Sequence, residues 1–255
     1  MKPMYQRPPL PALLTALLLA AGALPPAAAQ GDATTCGPLA NAYGPFDYRT
    51  DKDKLTHVER PHFPPVVEAL IRGNRGYLGQ DIDYTLRAFP NHHRALLAVM
   101  RYGEKLKTPH VKEMPYTVEC YFDRALRFRP DDNIVRMLYA QFLAKNERKP
   151  EGLKQLEVAA AGAEESGFTQ YNIGMIYVEM KEFDRALGQA HKAIWLGFER
   201  PALREQLVAA GKWVDAPPAP EKTAAAAAPD KTDKAASATP AEAPASGAPP
   251  AAVPR

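Results

Sequence analysis

Three patterns of hydrophobic and polar positions divide the chain. Residues 10–24 are almost unbroken apolar. From about 62 to 213, apolar residues recur three and four positions apart with polar ones between them, the spacing of one buried helix face. From 216 to 255, no apolar side chain larger than alanine or proline occurs except Val253. The middle region predicts an all-α domain. A short helix is expected over 64–72, a longer one over 91–106, helix pairs through 133–199 and a closing helix over 201–211. Residues 30–61 fit none of these patterns. Their Gly37-Pro38 and Tyr43-Gly44-Pro45-Phe46-Asp47-Tyr48 predict an irregular arm that packs its aromatic rings on the first helices.

The middle region also repeats itself. Its clearest unit carries Tyr171-Asn172-Ile173-Gly174-Met175-Ile176-Tyr177, then Phe183-Asp184-Arg185-Ala186-Leu187, Ala190 and Ala193. Thirty-four residues earlier, Ala140 stands where Gly174 is and Leu143 where Tyr177 is. Gly152, Leu156 and Ala159 match Ala186, Ala190 and Ala193. Small residues at those positions let two helices approach closely. Further back come Phe122-Asp123-Arg124-Ala125-Leu126 with Pro130, and Asp83-Tyr84-Thr85-Leu86 with Pro90. The loop at 107–115 is an insertion in that register.

This arrangement resembles the tetratricopeptide repeat family, and the arm followed by repeats is similar to uncharacterised exported proteobacterial members of it. The resemblance implies a short right-handed solenoid of antiparallel helix pairs over 62–213, with an irregular N-terminal arm and a disordered C-terminal tail. Three and a half to four units span 62–199, and the last helix covers the open end. In such a stack the first helices line a concave groove. Carried onto this chain, the groove positions are Phe168, Tyr171, Met175 and Val178, preceded by Ile134, Met137, Gln141 and Ala144. Asn172 sits where some members place an asparagine that holds a peptide backbone. The matching positions here are Leu138 and Ala98, so that ladder is absent. The family's clamp for a terminal carboxylate is absent too, because Tyr171 and Met175 occupy its places. The stripe that remains is apolar, with methionine and aromatic content suited to an adaptable groove. The alternative is that the same residues meet a neighbouring helix or the arm.

The ends change the picture by removal. Lys2 and Arg7, the apolar 10–24 and the closing Ala27-Ala28-Ala29 have the three parts of a secretory signal. Cleavage is expected near Ala29, and the alternative is a retained anchor. The tail, 216–255, holds 16 alanines and 9 prolines. It has too little apolar surface to offset its ordering entropy and is expected to be disordered. The formal charge of +3 falls to +1 once Lys2 and Arg7 leave. Such a balance predicts no nucleic-acid partner. Export and an even cysteine count point to a Cys36–Cys120 disulfide. Two free thiols are the alternative.

Chemistry-bearing motifs are scarce. There is no Cys-x-x-Cys, no Gly-rich phosphate loop, no nucleophile elbow and no His-Glu-x-x-His. Arg72-Gly73-Asn74-Arg75-Gly76 reads as a turn between helices. His92 and His93 are adjacent and point to different helix faces, which makes a poor metal pair. His57 and His62 lie near Asp51, Asp53 and Glu59 without ligand spacing. The expectation is therefore a non-catalytic scaffold without cofactor or metal. It would be periplasmic or secreted, would touch the membrane only through its signal, and would bind a protein or peptide in its groove. The alternative is a cell-wall or polysaccharide-binding protein that uses the aromatic arm.

Overall fold

A computed structural model describes residues 36–220. The expected signal segment, 1–29, and the tail beyond 220 lie outside the described residues. Among the described residues there are ten α-helices and no strand: α1 Lys52–His62, α2 Pro65–Glu68, α3 Leu78–Ala88, α4 His93–Leu106, α5 Val118–Phe128, α6 Asn133–Lys145, α7 Lys149–Ala161, α8 Gly167–Glu179, α9 Phe183–Trp195 and α10 Pro201–Ala209. None is long and apolar enough to cross a membrane. The all-α expectation holds.

The helix starts follow local chemistry. Side chains cap α4, α5, α6 and α8: His92 accepts from the amide of Ala95, Thr117 from Cys120, Asp132 from Ile134 and Val135, and Ser166 from Thr169. Each satisfies a donor that the first turn leaves without an intrahelical partner. Pro65, Pro150 and Pro201 occupy first-turn positions, where a missing N–H costs nothing. The helices α4, α6 and α8 end at left-handed or immediately pre-left-handed turns, with Lys107, Glu147 and Lys181 at positive φ.

Two cores hold the helices. The first joins α2–α6 around Ile82, Leu86, Leu96, Val99, Phe122 and Leu143. The second joins α6–α10 around Leu156, Ile173, Tyr177, Ala186 and Leu203. The closest packing is α6 on α7 and α8 on α9. Small residues make it possible. A Cβ on Gly152 would lie 2.8 Å from the Ala140 carbonyl oxygen, and one on Gly174 would lie 2.6 Å from a Leu203 methyl and 3.5 Å from the Ala186 carbonyl oxygen. Gly152, a weak helix former, is thus required by its contact.

The arm differs from expectation in one respect. Its irregular part ends at Asp51, and α1 follows inside the 30–61 stretch. Between Pro45 and Pro61 there is no Gly or Pro to signal irregularity. Val58 is buried and Leu55 partly buried, and both belong to a small third core with Ala88 and Phe89.

Candidate functional site

The face expected to bind is built from α4, α6 and α8, which contact one another in sequence along the chain. Polar pairs tie the three helices together. Lys145 of α6 reaches Glu104 of α4 at 2.9 Å, and Gln141 of α6 donates to Glu179 of α8 at 3.0 Å. Beside these ties lie two clefts. One, about 510 Å³, lies between the ends of α6 and α8, against Gln141, Ala144, Glu179 and Met180. The other, about 280 Å³, lies between α4, α5 and α6, against Met100, Gly103, Pro109 and Phe142.

The expected groove residues separate into three groups. Ile134 and Phe168 are open, at 36% and 50% exposure, although both are large and apolar. They stand at equivalent positions on α6 and α8, each the second residue of its helix. Tyr171, Met175 and Val178 are half-buried and pack against the second core. Tyr171 and Phe168 both meet the ring of Phe198 edge-on, at 5.5 and 5.6 Å. Met137 forms the third group. It is 6% exposed and belongs to that core, so its side chain is not part of an open groove. Gln141 is committed to Glu179, and Asn172 turns its amide back to the Phe168 carbonyl of its own helix.

Cys36 and Cys120 stand at disulfide distance, with Cα atoms 5.1 Å apart across 84 residues. That contact sets the arm along α5, where the arginines of the 124–129 run receive it. Arg124, 1% exposed, donates to the carbonyls of Cys36 and Pro38 and lies over the Tyr116 ring. Burial lowers its pKa from the usual arginine value. Arg127 donates to the Gly37 carbonyl and to Asp123.

A buried polar network fixes the rest of the arm, and the sequence reading missed it. Asn91 donates its amide to Asp47 at 2.7 Å and to Asp132 at 2.9 Å, and accepts from the backbone of Tyr48. Asp47 also receives Arg49 and, at 2.6 Å, Arg129. Burial alone would raise the Asp47 pKa. Hydrogen bonds from Arg49, Asn91 and Arg129 outweigh it and hold the carboxyl well below the usual range. Asp132 behaves likewise: burial pushes it up, and His93 and Asn91 bring it below its ordinary value. His92, fully buried, accepts the Ala95 amide at Nδ1 and so donates to Glu59 from Nε2. Burial lowers its pKa despite Glu59.

The carboxylate oxygens of Asp47 and Asp132 are all bonded within the protein, so the network serves as a fastener for the arm. Tyr43, Phe46 and Tyr48 are partly buried and pack on Ala88 and Phe89, and Tyr48 lies 4.2 Å from the His92 ring. His57 is exposed. His62 is bonded to Asp81, whose other oxygen accepts the amides of Asn74 and Arg75 and so pins the turn after α2. Among the described residues, no group of three or more His, Cys, Asp or Glu is placed to hold a metal ion.

The network gave little sequence signal, because Asp47, Asn91 and Asp132 share no period. One clue existed for the arginines. Arg124 and Arg127 fall four and seven positions after Cys120, on the same helix face, where a bonded Cys36 would bring the arm.

Fold and face together define an all-helical protein with a clamped N-terminal arm. No known protein family, curated protein or solved structure matches the chain.

Proposed function

We propose that the chain is a non-catalytic interaction scaffold of the bacterial cell envelope. In this reading its helix pairs are antiparallel, stack as a short right-handed tetratricopeptide-like solenoid, and hold a protein or peptide partner across α6 and α8. The observation that carries it is the pair Ile134 and Phe168, two large apolar side chains left open at equivalent positions. Exposed apolar surface in register on adjacent helices is a common mark of a docking face. The Cys36–Cys120 pair supports an oxidising compartment and so the expected export. The rival reading, polysaccharide binding by the arm, finds less support because Tyr43, Phe46 and Tyr48 turn toward the core.

The test is in-cell crosslinking of the full chain followed by affinity capture, beside the double variant Ile134→Asp/Phe168→Asp. A partner recovered with the unaltered chain and lost with the variant supports the reading. Equal recovery from both, or no partner, contradicts it.

A further inference from the structure

A second surface lies on α9 and α10, outside the helices that carry the groove positions. The chain leaves α10 at Ala210 and runs back over α9 as an extended strand, 213–220. His191 donates from Nε2 to the Val214 carbonyl at 2.8 Å, and Trp195 donates from Nε1 to the Pro217 carbonyl at 2.9 Å. The two donors are one helical turn apart. The two carbonyls are three residues apart.

The burial of the strand has the same period. Trp213, Ala216 and Ala219 are half-buried, whereas Val214, Asp215, Pro217, Pro218 and Pro220 are exposed. A burial period of three in a proline-rich segment matches the three residues per turn of polyproline II, whose carbonyls make no bonds within the segment and are left for outside donors. Prolines hold that conformation in advance, so little ordering entropy is lost on docking. On the shelf, Trp195 lies 6.1 Å from His191; on the strand, Trp213 meets the same His191 at 6.0 Å and lies under Arg204 of α10.

We propose that this face of α9 is a recognition shelf for Ala/Pro-rich polyproline II strands. The chain's own 213–220 fills it, and an Ala/Pro-rich strand of a partner polypeptide takes it when that segment lifts. His191 and Trp195 read the backbone carbonyls, Trp213 anchors the start of the strand against the second core, and the small Ala216 and Ala219 at the next two inner positions allow the rest to lie flat. The shelf is thus self-occupied and its availability is set by how tightly 213–220 is held.

The test uses the full chain, labelled on its indole nitrogens, and a synthetic peptide with the sequence of 213–220. In Ala216→Glu/Ala219→Glu the strand's inner face is charged and its hold on α9 weakens. The Trp195 indole proton should exchange about tenfold faster there than in the unaltered chain, the loss of roughly one net hydrogen bond. Adding the peptide should restore slow exchange in the variant. A peptide with its prolines replaced by glycine should bind more weakly, and Trp195→Phe/His191→Ala should abolish binding of the original peptide. The proposal is overturned if the Trp195 indole exchanges equally fast in both chains, if the peptide leaves the variant unchanged, or if the glycine peptide binds equally well. Protection that rises with protein concentration would assign the strand to a second copy and overturn self-occupancy.

Discussion

Asn91 donates its side-chain amide to Asp132 across 41 residues of chain, joining the start of α4 to the N-cap of α6. The same nitrogen reaches Asp47 of the arm. One neutral amide thus stands between two buried carboxylates, and Arg49 and Arg129 supply the opposing charge.

Asn91→Leu removes that donor and leaves both carboxylates short of a partner. Each carboxylate keeps its other partners, so what is lost is two hydrogen bonds to charged acceptors, about 1.5–3 kcal/mol each, and a loss of about 3 kcal/mol in urea unfolding is expected. Asn91→Asp should be worse, because it places a third carboxylate against the other two. A loss below about 1 kcal/mol for both would show that the network does not hold the arm.

The lowered pKa values of Asp47 and Asp132 set a pH dependence. The unfolded chain takes up protons near the ordinary aspartate value of about 3.9, before the folded chain does. Their contribution is therefore complete above that value and falls as pH drops below it toward the folded values. His92 adds an earlier loss. Its lowered folded pKa means that the unfolded state binds a proton first, from about pH 6.5 downward. A melting-temperature profile should decline gently below pH 6.5 and steeply below pH 4. Asp47→Asn should flatten the steep part.

Gly152 and Gly174 give a prediction of sign. Gly to Ala in a helix interior ordinarily stabilises by about 1 kcal/mol. At Gly152 the new methyl would meet a backbone oxygen at 2.8 Å, which cannot move without shifting α6 relative to α7. Gly152→Ala is expected to destabilise by about 1–2 kcal/mol despite its propensity. Gly174→Ala should cost less, because its nearest obstacle is a Leu203 methyl that can rotate away. Chemical denaturation of the two variants would show the order.

The Cys36–Cys120 contact closes 84 residues, for which the chain-entropy relation gives about 4.5 kcal/mol. Cys36→Ala/Cys120→Ala should lower stability by up to that amount. Protease cleavage near Gly37 should rise with it, since Arg124 and Arg127 would then hold the arm's start alone.

Small residues at fixed spacing made α6–α9 readable. Gly174 and Ala186 recur as Ala140 and Gly152 because close helix contacts tolerate few residue types, and that restriction leaves a mark on sequence. The open Ile134 and Phe168 were readable for the same reason of register. Met137 was not. The family resemblance implies a groove position there, but its flexible side chain turns into the second core, and only neighbouring helices decide such a choice. The network of Asp47, Asn91 and Asp132 was unreadable because its members belong to three separate segments. The docking of 213–220 was hidden by its composition: beyond Trp213 and Val214, alanine and proline bury little area, and nothing in the pattern announced that Trp195 and His191 would hold its carbonyls.

The groove is tested most directly by a photocrosslinking residue placed in the full chain, in cells, at Phe168, at Ile134 or at Val158, which is equally open at 49% but lies on α7. Adducts to one protein partner from positions 134 and 168, absent from 158, are the expected result. Adducts from 158 alone, or the same adducts from all three positions, would contradict a partner-binding face on α6 and α8.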